Sequence, residues 1–127
     1  DAWRTAGCFS ATFVGLTDAT TSGSNAGSPG YLVADDRCNA QFSGSHVCSS
    51  SEILNSKSCD APVFIARTSG IGWILNGPPG FPANSNDCGG RSSAVAEDFG
   101  SIWAFSDTGG QGLLTPCNTA RALACCR

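Results

Sequence analysis

Apolar and polar residues alternate from Cys8 to Val14, with Phe9, Ala11 and Phe13 on one side and Cys8, Ser10 and Thr12 on the other. That is the two-residue period of a half-buried strand. The run from Asp18 to Gly30, DATTSGSNAGSPG, has no apolar period and consists of turn formers, which predicts a surface loop. Beyond it the period lengthens. Tyr31, Ala34, Cys38 and Phe42 stand three or four apart, the stripe of a short helix that turns Cys38 inward. Ser49 followed by Glu52 is the signature of a capping box, and it opens a second helix of about two turns at Ile53 and Leu54. Pro62 to Ala66 and Ile71 to Leu75 read as short buried strands, the latter closed by the breakers Asn76, Gly77, Pro78, Pro79 and Gly80. An irregular stretch follows to about Ser93. Ile102 to Phe105, Leu113 with Leu114, and Ala120 to Cys126 supply the remaining strands. Two short helices near the N-terminus and many short strands predict an α+β domain around a small twisted antiparallel sheet.

The 127 residues suffice for one domain with a real core, and the reading assigns 1–127 to a single domain. Charged residues make up only 13%, against roughly 25% in average domains, and Lys57 is the only lysine. Gly, Ser, Thr and Asn take the place of charge on the surface. A net charge of −3 with dispersed arginines argues against nucleic acid or an anionic membrane as partner, since both select a concentrated basic patch. No apolar run is long enough to span a bilayer, so membrane insertion is not expected. The chain starts at Asp1 with no charged, apolar leader, and the expectation is a mature secreted protein whose signal peptide has been removed.

Eight cysteines, at positions 8, 38, 48, 59, 88, 117, 125 and 126, change the picture most. Their spacing offers no zinc knuckle and His46 is the only histidine, so disulfides in an oxidising compartment are the expectation. Eight cysteines allow on the order of a hundred connectivities. Strand alternation narrows the choice, because Cys125 shares a face with Leu123 while Cys126 shares the other with Ala124. Cys125 therefore suits the inward-facing Cys38. Cys126, taken to face away from the core, suits Cys8 on the first strand. Cys48 with Cys59 would close a loop around the second helix, leaving Cys88 with Cys117. The partners of Cys8, Cys48, Cys59 and Cys126 stay open at this point.

Residues 31–54, YLVADDRCNAQFSGSHVCSSSEIL, resemble the two-helix passage of C-type lectin-like domains. The order Cys88, Cys117, Cys125 is similar to that family's closing cysteines. More narrowly, FVGLTDATTSGSNAGSPGYLVADDRC and NDCGGRSSAVAEDFGSIWAF resemble secreted bacterial domains of the endostatin-like branch. The resemblance implies a C-type lectin-like fold and the same pairings of Cys38 with Cys125 and Cys88 with Cys117. It also exposes a departure. The Glu-Pro-Asn or Gln-Pro-Asp loop and the Trp-Asn-Asp triplet of calcium-dependent sugar binding are missing, and Gly112 to Pro116 carry no carboxylate for a hard cation.

The candidate binding residues are Trp73 and Phe81 in and beside the GPPGFP loop, the run Asn84, Asn86 and Asp87, and Trp3 near the terminus. The alternative for Trp73 and Phe81 is a loop folded over its own core; if exposed, they would form a contact surface for a glycan or protein. Asn84 to Asp87, with one carboxylate, is better read as a turn before Cys88 than as a metal site, and neither metal nor cofactor is expected. His46 reads as a loop histidine beside a disulfide. The adjacent pairs Asp35/Asp36 and Glu97/Asp98 diverge by about 100° on a helix and form no facing dyad. No catalytic residues are assigned. The expectation is a non-enzymatic extracellular recognition or adhesion module binding a glycan or protein. The alternative is a subunit that assembles with copies of itself into a fibre or coat, and a small secreted enzyme stands third.

Overall fold

A computed structural model describes residues 12–25, 27–76 and 87–127. Along them run β1 (Phe13–Leu16), α1 (Tyr31–Gln41), β2 (His46–Val47), α2 (Ser50–Ser58), the single turn α3 (Pro62–Ala66), β3 (Ile71–Ile74), β4 (Phe99–Ala104), β5 (Gln111–Pro116) and β6 (Ala122–Cys126). The class is α+β, and the two early helices stand where the apolar spacing put them. Ala34 and Cys38 are the buried stripe of α1. The Ser49 hydroxyl accepts from Glu52 N and the Glu52 carboxylate accepts from Ser49 N, so α2 opens on the expected capping box.

Pro62–Ala66 is helical, not extended. Pro62 occupies the first turn, where its missing N–H costs nothing, and of the five residues only Phe64 is buried. A five-residue apolar run carries too little periodicity to tell a strand from one helical turn.

The sheet has the order β1-β6-β3-β4-β5, with β2 also on β6. It is mixed, whereas the sequence reading was antiparallel. β3, β4 and β5 form an antiparallel meander, but β6 leaves the β5 edge and inserts on the far side of β3, parallel to it, with Trp73 opposite Leu123. Inserted there, β6 gains backbone partners on both edges: β1 on one, β2 and β3 on the other.

Two apolar clusters lie on the two faces. One joins Trp73, Ile102, Leu123 and Cys125 to Ala34 and Cys38 of α1. The other joins Ile74, Trp103, Phe105, Ala124 and Cys126 to Ile53 of α2 and Phe64 of α3. Gly100 of β4 sits where a Cβ would fall 2.8 Å from both the Cys88 sulfur and the Trp73 ring, which is why only glycine fits there.

Cys38–Cys125 and Cys88–Cys117 are bonded as expected. Cys48 bonds Cys126, which overturns both Cys8 with Cys126 and Cys48 with Cys59. The alternation of Cys125 and Cys126 is as read. The error was to leave the Cys126 face outside the core, since α2 and α3 cover it and Cys126 is wholly buried. Cys48 follows directly on β2, and its N–H donates to Ala124 O at 2.8 Å, which sets its sulfur beside that of Cys126. Cys59 is disulfide-bonded as well, and Cys8 lies outside the described residues.

The loop read as surface is also partly interior. Thr21 and Asn25 are buried, and the backbone of Thr21 forms a bridge with Arg121 through N–H···O bonds of 2.8 and 3.0 Å.

Mass mapping of non-reduced digests is expected to join the Cys48 peptide to the Cys126 peptide, and a Cys48–Cys59 peptide would contradict the fold. Replacing Cys48 and Cys126 together by serine is expected to cost about 2–5 kcal/mol in denaturant unfolding.

Candidate functional site

Residues Asp87–Arg91 form one left-handed turn, with φ of 51, 57, 63, 73 and 65° in sequence. Gly89 and Gly90 adopt this freely, but Asp87, Cys88 and Arg91 each pay a steric cost of about 1–2 kcal/mol. Three attachments hold the turn. Cys88 is bonded to Cys117. The Asp87 carboxylate accepts from Asn76 N at 3.0 and 3.2 Å and from the Tyr31 hydroxyl at 3.2 Å. Arg91 reaches into the β1–α1 loop, donating to Asn25 Oδ1 at 3.0 Å and to Ser22 O at 2.8 Å. Its guanidinium carbon lies 4.7 Å from the centre of the Trp73 ring, a cation–π contact.

Asp87 and Arg91 are each 1% exposed, so this is a buried polar network. Desolvation pulls the Arg91 guanidinium down to about 10, with Asp87 opposing the shift, and the group stays charged at neutral pH. Burial first, and then the Asp87 carboxylate, raise the Tyr31 phenol above its ordinary value. Asn25 also donates to Gly30 O at 3.0 Å and accepts Arg37 at its carbonyl at 2.8 Å, so one asparagine ties two arginines to the start of α1.

Of the residues singled out from sequence, the structure brings Trp73 and Asp87 into this network. Trp73 is wholly buried and its indole N–H donates to Thr21 O at 2.8 Å, so it is a core ring and not a surface anchor. Asp87 is likewise enclosed. Trp3, Phe81, Asn84 and Asn86 lie outside the described residues. His46 faces Glu52, with Nε2 and Oε2 2.7 Å apart, where it steadies the carboxylate that caps α2. Among the described residues no three His, Cys, Asp or Glu side chains gather as a metal site would need, and no helix is long and apolar enough to cross a membrane.

The feature the sequence reading missed is an apolar groove of about 530 Å³ on the face opposite Trp73. α2 packs toward the β1 end of that face, where Ser56 Oγ accepts from Phe13 N at 2.9 Å, and leaves a gap over β4 and β5. Leu54 on the helix, Ile74, Trp103 and Leu114 on the sheet, and Asn76 and Ser101 at one end line the gap. Leu54, Leu113 and Leu114 are 51, 45 and 55% exposed. Among the described residues β5 is also an edge of the sheet, with no strand on its outer side. Cys117 N donates to Asp98 O in the next register position, so by alternation Gly112 and Leu114 turn their backbone N–H and C=O outward. The segment QGLLTP holds no charge to blunt that edge.

Tyr31 is the chain's only tyrosine, so phenolate absorbance reads the network directly. Its midpoint is expected above 10.0 in the folded protein, falling toward the ordinary value in Asp87→Asn. Because the folded value is the raised one, the stability contributed by the Tyr31–Asp87 bond is fully present below pH 10 and is lost as pH rises through the folded midpoint. Arg91→Ala keeps the strained backbone but leaves Asn25 Oδ1 and Ser22 O without their donor, and is expected to cost about 1–3 kcal/mol in chemical denaturation at pH 7.

Comparison with protein-family models, with curated proteins and with solved structures returned no match to this chain.

Proposed function

We propose that this chain is a non-enzymatic extracellular recognition or adhesion module whose partner is a protein that lays an extended, uncharged, apolar segment into the groove beside β5. The observation that carries the reading is the pairing, among the described residues, of an open apolar groove with an uncharged sheet edge. The groove supplies contact for side chains and the edge supplies backbone bonds at Gly112 and Leu114, the two components of recognition by strand addition. No charged residue lines it, which selects an uncharged segment. The disulfides fit an oxidising, extracellular compartment. The C-type lectin-like resemblance is in keeping with this role, without the calcium motifs. Glycan remains the second class of partner to include in the test.

Self-assembly into a fibre or coat is favoured by the same edge, since β5 is itself an uncharged extended segment.

Light scattering over a range of concentrations separates the two, with a concentration-independent monomer expected. Binding is then measured on a panel of immobilised extracellular proteins and glycans. The double substitution Leu54→Lys, Leu114→Lys alters exposed positions, so it is expected to leave stability within about 0.5 kcal/mol per site. It is expected to weaken protein binding at least tenfold. Undiminished binding by that variant, or no binding by the native chain across the panel, overturns the groove reading. A mass that grows with concentration and is held at monomer by the same variant would establish self-assembly instead.

A further inference from the structure

A second cleft, of about 440 Å³, opens where β1 ends and β3 and β6 begin, and it shares no residue with the β5 groove. Its size is that of a small-molecule site. Leu16, Ile71 and Ala122 supply apolar walls, while Thr20, Arg67 and Arg121 bring polar groups to it.

These two arginines differ from the others. Arg37, Arg91 and Arg127 each donate through an Nη atom to a backbone carbonyl. Arg67 is exposed and donates only through Nε, to Ser69 O at 3.0 Å, so both its Nη atoms are unbonded. Arg121 is the one described arginine whose guanidinium makes no hydrogen bond at all. Its Nε is buried, but Nη1 and Nη2 retain surface. The cationic atoms a ligand can reach are therefore the four Nη. Thr20 is exposed as well, with its hydroxyl unbonded.

The backbone that carries each arginine is fixed. Arg121 exchanges N–H···O bonds of 2.8 and 3.0 Å with Thr21, which sets its Cα just ahead of β6. The 67–70 turn is fastened at one end by Arg67 N to Phe64 O, at 3.1 Å, and at the other by Phe105 N to Gly70 O, at 2.8 Å. Gly70, at φ 104°, leaves room for the guanidinium, since a Cβ there would fall 3.0 Å from Arg67 Nη2 and 2.9 Å from the Leu16 side chain. The positive charge is not met from within. The chain has 10 acidic residues against 7 Lys and Arg, yet neither arginine makes an ion pair among the described residues. Asp18, which is exposed, is the only carboxylate lining the cleft, so two guanidinium groups against it leave an excess of one positive charge.

We propose that this cleft binds a small monocarboxylate, its anionic end taken by the Nη groups of Arg67 and Arg121 and the Thr20 hydroxyl, and its short apolar body resting on Leu16, Ile71 and Ala122. Guanidinium N–H groups match the two carboxylate oxygens, a hydroxyl supplies a further donor, and one positive charge in excess suits one negative charge. The apolar walls exclude part of the water that screens such a pair on an open surface. Two sources share this chemistry: a free short-chain acid, and the C-terminal carboxylate of a peptide that ends in an aliphatic residue. The site stands or falls independently of recognition at β5.

The test uses the intact, oxidised chain and amide chemical shifts in ¹H–¹⁵N spectra, titrated separately with isovalerate, its neutral amide isovaleramide, and N-acetyl-L-leucine at constant ionic strength. Saturable shifts confined to residues 16–20, 67–71 and 120–122 are expected with isovalerate and not with isovaleramide. N-acetyl-L-leucine binding at least as tightly as isovalerate would assign the site to peptide chain ends, and tighter binding of isovalerate to free short acids. Arg121→Gln removes the charge from a side chain that makes no hydrogen bond, so the variant is expected to keep its Tm while isovalerate affinity falls by about tenfold or more. Arg67→Gln, at an exposed position, is expected to lose affinity to the same degree, and it decides alone if Arg121→Gln does not fold. Equal response to isovaleramide, shifts scattered over the surface, no saturable shift with either acid, or full affinity in a folded glutamine variant would each overturn the proposal.

Discussion

Cys125 and Cys126 are neighbours on one strand, so their sulfurs leave opposite faces, and each is bonded to a different element. Cys125 fixes helix α1 on one face across 87 residues of chain, and Cys126 fixes the entry to α2 on the other across 78. β6 is also hydrogen-bonded along both edges. A slip of one residue would exchange the faces, setting Cys125 under α2 and Cys126 under α1, so the two bridges specify register as well as adding stability. The loops they close are long, the case in which chain-entropy arguments give the greatest stabilisation, about 4.5 kcal/mol each. A chain with so few charges and so many small polar residues has few other means of choosing one register.

The strain at Asp87–Arg91 depends on that frame. A left-handed turn with three non-glycine residues persists only where its surroundings overdetermine it. Here they do, since Cys88 is held to Cys117, Asp87 to Asn76 and Tyr31, and Arg91 to the β1–α1 loop. Burying a guanidinium is costly unless its donors are met. Backbone carbonyl, asparagine oxygen and the Trp73 face meet them together. The network also fastens the residues on either side of 77–86 to each other, because the Asp87 carboxylate bonds the N–H of Asn76.

What was legible in the sequence follows from how local each signal is. The helix stripe of Ala34 and Cys38, the Ser49/Glu52 box and the alternation at Cys125/Cys126 are encoded within a few residues, and all three stand. What failed depended on partners distant in sequence. DATTSGSNAGSPG has the same composition whether its polar groups face water or a buried arginine, so nothing local marks Asn25 as interior. The pairing of Cys48 with Cys126 required knowing that α2 and α3 cover the second face of β6. Trp73 borders a Pro/Gly-rich run, which suggests a contact role, and also lies in the run that reads as a buried strand; the second reading holds, since it alternates with Ile74 on a strand buried on both sides. The groove was invisible for the converse reason. Leu113 and Leu114 read as strand residues, and only the order of strands reveals that theirs is the edge.

That edge also bears on the order of the two functional readings. Leu113 and Leu114 alternate along β5, and by register Leu114 lies on the face of Ser101 and Ile74 while Leu113 lies on that of Ile102. A copy of β5 docking antiparallel would satisfy the backbone of Gly112 and Leu114 and set leucine near leucine. It would bring just one large side chain per face, and Gly112 brings none, so much of the space between Leu54 and Trp103 would stay unfilled. Voids of that kind forfeit contacts on every wall atom. A different strand, with larger apolar side chains at alternate positions, would fill the groove and use the same backbone bonds. Shape thus ranks recognition of a partner above pairing with a copy, although the backbone chemistry of the edge is indifferent between them.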